Sequence, residues 1–354
     1  MRRRPDYNHL RLSKLYIWQV LVLLLSSLSS LQAQKINGVS FSIPYEMELN
    51  LSMLQEVESI NANWIAVVPE ATLDRATLKL LPDSVNDFWG ETVAANIEAV
   101  RLAKSLGYKV FLKPHIVLGE KVGRSEDKTK KASWRGDLKA GSEGDWEKLE
   151  AEYGQYIIEL ARIAEQYDVE LFSIGTELKG FVAHRGTFWS SLIDQVRAVY
   201  SGEITYSANW DEYKSIRFWS ELDYIGVDAY FPLSKSETPK VRQVKRKWKS
   251  IRSNLEKLSK RYDRQILFTE YGYRNISNSG HRPWEHVKDR DTASNLTAQK
   301  NLYQALYESV WTESWLAGGF LWKWFAKPLS EDNTDFTVQD KPAQAVVREW
   351  YSID

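Results

Sequence analysis

Gln265-Ile266-Leu267-Phe268-Thr269-Glu270-Tyr271-Gly272-Tyr273-Arg274 is a short apolar run that stops at a carboxylate flanked by aromatic residues. Ile266, Leu267 and Phe268 are consecutive and β-favouring without polar alternation, the pattern of a strand buried on both faces, as in a parallel sheet. Glu270 stands where that strand ends. A carboxylate there is costly unless it is paired, hydrogen-bonded or used. Glu170-Leu171-Phe172-Ser173-Ile174-Gly175-Thr176-Glu177 repeats the grammar, an apolar strand closing on Thr-Glu. Two strand-end glutamates point to one pocket with two carboxylates, the minimum equipment for hydrolysing a glycosidic bond.

Outward from these two runs, apolar stretches of strand length alternate with longer stretches of helical period. Strands are expected at residues 36–43, 64–69, 109–116, 170–177, 204–209, 224–230, 265–270 and 316–325. Helices are expected at 50–63, at 91–106 with Gly107 as its stop, behind a cap at Asp145, and at 188–200, 238–262, 293–311 and 342–350, with a short one near 213–219. Strict alternation argues a parallel sheet with helical crossovers. Eight repeats, with no glycine-rich phosphate turn after the first strand, favour an α/β fold of one closed (β/α)₈ TIM barrel over an open doubly wound sheet. The polar, glycine-rich segment 117–144 is the longest irregular stretch, and loops of that length in compact domains are usually functional or disordered.

Residues 1–33 read differently. Arg2, Arg3, Arg4, Arg11 and Lys14 precede an apolar run from Leu15 to Leu25, then a serine-rich stretch and Leu31-Gln32-Ala33. That is the layout of a secretory signal peptide cleaved after Ala33, leaving one catalytic-size domain over 34–354 and an exported, periplasmic or extracellular, protein. An uncleaved membrane anchor is the alternative, but the apolar run falls short of the roughly 20 residues a span needs. The leader holds five basic residues and one acid, so 47 of each become 42 basic and 46 acidic, a net of −4. Such a balance implies no attraction to nucleic acid or to an anionic membrane. The basic stretch of the 238–262 helix reads as a solvated outer face. Cysteine is absent, which excludes disulfides, thiolate chemistry, cysteine-ligated metal and a lipidated cysteine.

A barrel of this kind puts its chemistry at the C-terminal ends of its strands. Those ends carry Glu70, His115, Glu177, Asn209 and Trp210, Tyr230, Glu270, and Trp322 with Trp324. No His-Glu or His-x-x-x-His pair and no Gly-x-Ser-x-Gly occurs, so neither a metal nor a serine nucleophile is implied. Tyr230, Tyr271, Tyr273 and Arg274 are expected to keep Glu270 ionised, and the less polar setting of Glu177 to raise its pKa. Trp89, Trp134, Trp210 and Trp284, in loops, are either platforms for sugar faces or loop packing. Asp228 is expected to be structural.

Ser173-Ile-Gly-Thr-Glu-Leu178, Asp228-Ala-Tyr-Phe-Pro-Leu233, Thr269-Glu-Tyr-Gly-Tyr273, Lys113-Pro-His115 and Trp322-Lys-Trp324 together resemble glycoside hydrolase family 113, a clan A family of retaining β-1,4-mannanases, over the whole chain after the leader. The resemblance implies that Glu177 is the acid/base and Glu270 the nucleophile. It further implies that Tyr230 holds the nucleophile, Trp322 floors the subsite of the attacked sugar, and His115 and Asn209 bind hydroxyls. The partner is then an oligosaccharide or polysaccharide, and no cofactor is required. Many clan A enzymes carry Asn before the acid/base, where it binds the 2-hydroxyl; here Thr176 stands there, as in the family. Cleavage of another β-glycan, and a barrel that binds sugar without turnover, are the competing readings.

Overall fold

The computed structural model describes residues 34–43, 48–82, 92–119, 134–285, 293–330 and 332–353. The expected leader, Trp89 and half of the long irregular segment, residues 120–133, lie outside these residues. The strands, in chain order, are β1 (Ile36–Ser42), β2 (Trp64–Val67), β3 (Glu70–Asp74), β4 (Leu80–Pro82), β5 (Lys109–Leu112), β6 (His115–Gly119), β7 (Leu171–Thr176), β8 (Glu203–Asn209), β9 (Tyr224–Asp228), β10 (Gln265–Tyr271) and β11 (Leu316–Phe325). Eight of them close a parallel barrel in the order β1-β11-β10-β9-β8-β7-β5-β2. The expected (β/α)₈ barrel is therefore the fold, with one barrel strand at each expected stretch.

Alternation sorts the side chains into two layers. Ile36, Trp64, Phe111, Leu171, Leu267 and Phe320 pack together inside the barrel, while Phe172, Ile174, Ile266, Phe268 and Tyr271 belong to the larger core beneath the helices. Both glutamate-bearing strands break this alternation just before the glutamate. In β10 the pairing register shifts between Phe268 and Tyr271, and in β7 between Ser173 and Thr176. A bulge of this kind re-aims the side chains that follow it. On β10 it lets Thr269 and Glu270 both face the barrel mouth while Tyr271 returns to the outer layer.

The outer helices begin with α1 (Leu51–Gln55), α2 (Val93–Ser105), α3 (Glu143–Gln166), α4 (Lys179–His184) and α5 (Gly186–Arg197). They continue with α6 (Val241–Tyr262), α7 (Leu296–Leu306) and α8 (Pro342–Tyr351). The cap of α3 is Ser142 rather than Asp145. Ser142 Oγ accepts from the Asp145 N–H at 3.2 Å and donates to Asp145 Oδ2 at 2.7 Å, a reciprocal box that makes the acid the third helical residue. Helix α6 buries Val244, Trp248, Leu255 and Leu258, and two of its cations pair outward, Lys245 with Glu308 and Arg252 with Glu313. No described helix is long and apolar enough to cross a membrane.

A second sheet was not expected. The order β4-β3-β6 forms a small three-stranded sheet in which β3 runs antiparallel to β4 and parallel to β6. The expected third strand over 109–116 is thus two strands of two sheets, separated by Lys113-Pro114. Proline has no N–H to continue a ladder, so the chain leaves the barrel there and re-pairs at His115, opposite Glu70.

Candidate active site

Glu270 is 6% exposed and its two oxygens are differently held. The Tyr230 hydroxyl donates to Oε2 at 2.7 Å, and the Lys113 ammonium donates to Oε1. Lys113 has no exposed side-chain surface and also donates to both oxygens of Asp228, at 3.1 and 3.3 Å. The Thr269 hydroxyl adds a third bond to Asp228, at 2.7 Å. One buried cation therefore serves two buried carboxylates. Burial pushes the Glu270 carboxyl up, but Lys113 and the close approach of His115 together more than offset it and hold Glu270 well below the usual carboxylate range. Asp228, equally buried and repelled by Glu270, is pushed well above its ordinary value despite Lys113.

His115 Nε2 comes within 3.4 Å of Glu270 Oε1 but is too misaligned to bond it, and is left buried without a partner. Burial first, then the nearby Arg135, lowers the His115 pKa to about 3, so the ring is neutral at physiological pH. A neutral ring adds no charge of its own, so Lys113 is the cation beside Glu270. His115 stacks on Trp322, centroids 6.0 Å apart and planes 18° from parallel. Trp322 is half-buried, whereas Trp324 is 2% exposed and belongs to the core.

The expected neighbours of Glu270 need correction. Tyr271 places its hydroxyl 2.9 Å from that of Tyr307 and 2.6 Å from that of Tyr351, in the outer layer. Tyr273 packs edge-on against Tyr303, and Arg274 Nε donates to the Thr334 carbonyl at 2.8 Å. Closeness in sequence gave the wrong direction, because a strand turns successive side chains to opposite faces. Only Tyr230 of the four reaches Glu270. Asp228, expected to be structural, is part of the same charge cluster.

Glu177 follows β7 in the left-handed region, φ +54°. Its N–H donates to the Ser207 carbonyl at 2.8 Å and its Oε2 accepts from Trp134 Nε1 at 3.3 Å. The short segment carrying Trp134 lies hard against this turn. A Cβ on Gly136 would come 2.3 Å from the Trp134 ring, and one on Gly180 would come 2.5 Å from the Leu138 carbonyl oxygen. Burial raises the Glu177 pKa; Arg135 opposes it, and the charge of Glu270 reinforces it. The two carboxyls thus feel each other, from strands three places apart in the ring.

The remaining candidates divide. Asn209, ending β8, spends its side-chain oxygen on the Trp210 N–H at 2.7 Å, leaving the amide NH₂ to offer. Trp210 stacks on Trp284 at 5.2 Å, and Trp284 is 39% exposed. Thr176 is 2% exposed and its hydroxyl donates to the Pro114 carbonyl at 3.0 Å, so it is spent internally. In the sequence Lys113 stands out only as the neighbour of Pro114 and His115. An inward-pointing lysine after a buried run leaves no further signal in sequence. Among the described residues no three His, Asp or Glu side chains gather at metal-binding spacing.

A family model, Glycoside Hydrolase Family 113, matches residues 44–341. A β-mannanase of family 113 from Alicyclobacillus acidocaldarius is similar in structure with a TM-score of 0.77 at 22% identity, over 91% of this chain and 99% of that one. A β-1,4-mannanase of the same family has a TM-score of 0.72 at 25% identity, over 91% of this chain and all of that one. A β-glucuronidase from Ruminococcus gnavus shares the fold at 10% identity and a TM-score of 0.58, over 90% of this chain and 50% of its own. Among curated proteins, none matches by sequence.

Proposed function

The chain belongs to glycoside hydrolase family 113, and on that premise we propose that it cleaves β-1,4-mannosidic bonds with retention, Glu270 acting as nucleophile and Glu177 as acid/base. The observation that carries the assignment is the opposite treatment of two carboxyls in one barrel mouth, Glu270 held below the usual range and Glu177 raised above it. That division is what a glycosidase needs, one group ionised to attack and the other protonated to donate. Two solved mannanases of the family, similar over nearly their whole length, support mannan as the substrate.

In the first step Glu270 bonds to the anomeric carbon as the bond to the glycosidic oxygen breaks, and the Glu177 proton passes to that oxygen. Esterified Glu270 carries no charge, so it no longer raises the Glu177 pKa, and Glu177 becomes the better base for the second step. It then takes a proton from water, whose oxygen bonds to the anomeric carbon while the ester bond breaks and its electron pair returns to Glu270. Tyr230 orients the nucleophile, Trp322 floors the sugar, and the unpaired His115 nitrogen and the Asn209 amide bind hydroxyls. Trp134 lines the acid/base side. The 2-hydroxyl contact falls to a residue other than Thr176, whose hydroxyl is already bound.

Residues 1–33 act as an export leader on this reading, and intact mass of the exported protein should match a chain starting at Gln34. The reaction is tested by following hydrolysis of β-mannan, with β-glucan alongside, by proton NMR. First-formed β-configured mannose ends support the proposal. First-formed α ends, or glucan hydrolysis without mannan hydrolysis, contradict it.

A further inference from the structure

The turn that carries Glu177 is laced to the end of β8 and to the turn that follows it. Besides the Glu177 N–H bond to Ser207, the Leu178 N–H donates to the Tyr206 hydroxyl at 2.7 Å, and Lys179 Nζ donates to Asp211 Oδ2 at 2.8 Å. The Tyr206 hydroxyl passes its own hydrogen to Glu212 Oε1 at 2.9 Å, and Glu212 Oε2 accepts from the Asn209 N–H at 3.3 Å. Tyr206 is 0% and Glu212 1% exposed, so no water competes for these bonds.

A phenol hydroxyl has one hydrogen to give. Tyr206 accepts from Leu178 on a lone pair when that hydrogen points away from the Leu178 N–H, and Glu212, both of whose oxygens receive donors, fixes it in that direction. Glu177 is a non-glycine residue in the left-handed region, a conformation that persists where its surroundings hold it. The bond to Leu178 N–H is one residue beyond that strained position. Glu212 also fixes the backbone of Asn209, on the same side of the cleft.

We infer that Glu212 is a positioning residue for Glu177, acting through the Tyr206 hydroxyl to hold the left-handed turn that aims the Glu177 carboxyl. The inference rests on Glu177 being the acid/base, and the test separates the two. In Tyr206→Phe and in Glu212→Gln, kcat/KM on an unactivated mannooligosaccharide falls about 10- to 100-fold, because leaving-group protonation suffers. On 2,4-dinitrophenyl β-mannoside, whose phenolate leaves without a proton, both variants stay within about threefold of wild type. The double variant loses no more than the worse single one, as two links of one relay require. Equal losses on both substrates, or none on either, overturn the inference. Glu177→Ala is run in parallel. If its loss is the same on both substrates, the acid/base assignment itself is wrong; if its loss depends on the leaving group and those of the relay variants do not, only the relay is.

Discussion

The wall of the cleft that holds Glu270 is made of charges, whereas the wall that holds Glu177 is made of backbone, aromatic rings and the Arg135 guanidinium. On the first, Lys113 stands between Glu270 and Asp228 with no exposed surface, and together with His115 it outweighs the burial that would protonate Glu270. On the second, burial dominates and the nearest donor, Trp134, is 3.3 Å away and 36% exposed. The difference teaches that burial alone does not set a carboxyl's state: of the two carboxyls that share Lys113 only Glu270 is held below the usual range, whereas Asp228 and Glu177 are pushed up.

The comparison is broken most severely by removing the nucleophile. Glu270→Ala should lower kcat on any mannoside by about 10⁴-fold or more, and azide should restore part of it by forming an α-mannosyl azide. If activated substrates are still hydrolysed at near wild-type rates, the charged wall is not where attack occurs. Lys113→Met should come next. It leaves two buried carboxylates without their cation, which costs about 3–5 kcal/mol in urea unfolding. The acidic limb of kcat/KM should move to higher pH, because Glu270 loses the charge that held its pKa down. An unmoved limb would mean that the limb reports another group.

Glu212 sharpens the contrast, since it is a buried carboxyl without a cation. Burial pushes its pKa up to about 7. A folded-state pKa above the unfolded value near 4.3 means that the unfolded chain ionises first. This group's contribution is therefore full below about pH 4.3 and is lost as pH rises through 7. Glu212→Gln should accordingly show a smaller fall in Tm than wild type between those limits, a result that identical Tm profiles would refute. Trp134→Phe should have the smallest effect. It removes one long bond that favours ionised Glu177, so the basic limb of kcat/KM should move slightly upward with kcat within about threefold. A downward shift would contradict the stated role of the bond.

Much of the barrel was legible because apolar stretches of strand length recur between helical ones, and Ile266-Leu267-Phe268 and Leu171-Phe172 need no context to be read. The small sheet was not legible. Glu70-Ala-Thr-Leu-Asp74 is short and alternating, and His115–Gly119 follows a barrel strand with only Lys113-Pro114 between, so a proline break inside one apolar run was the sole cue. Both glutamates could be found as strand ends, but the register shifts that point them inward depend on neighbouring strands. Without those shifts Tyr271 and Arg274 seemed to sit beside Glu270, and Lys113, 157 positions away, did not. Glu212 had no signal either, because Asp211-Glu212 reads as a polar turn and only packing distinguishes the exposed acid from the buried one.

The claim on which the rest depends is that the two glutamates occupy opposite protonation states in one cleft. It is tested most directly by following the carboxyl carbons of Glu177 and Glu270 through a pH titration by ¹³C NMR, with Glu177→Gln and Glu270→Gln to assign them. The account predicts Glu177 titrating above the usual glutamate range and Glu270 remaining ionised below it, with the Glu177 transition moving to lower pH in Glu270→Gln as the neighbouring charge is lost. Two ordinary, independent titrations, or the reverse order, would contradict it.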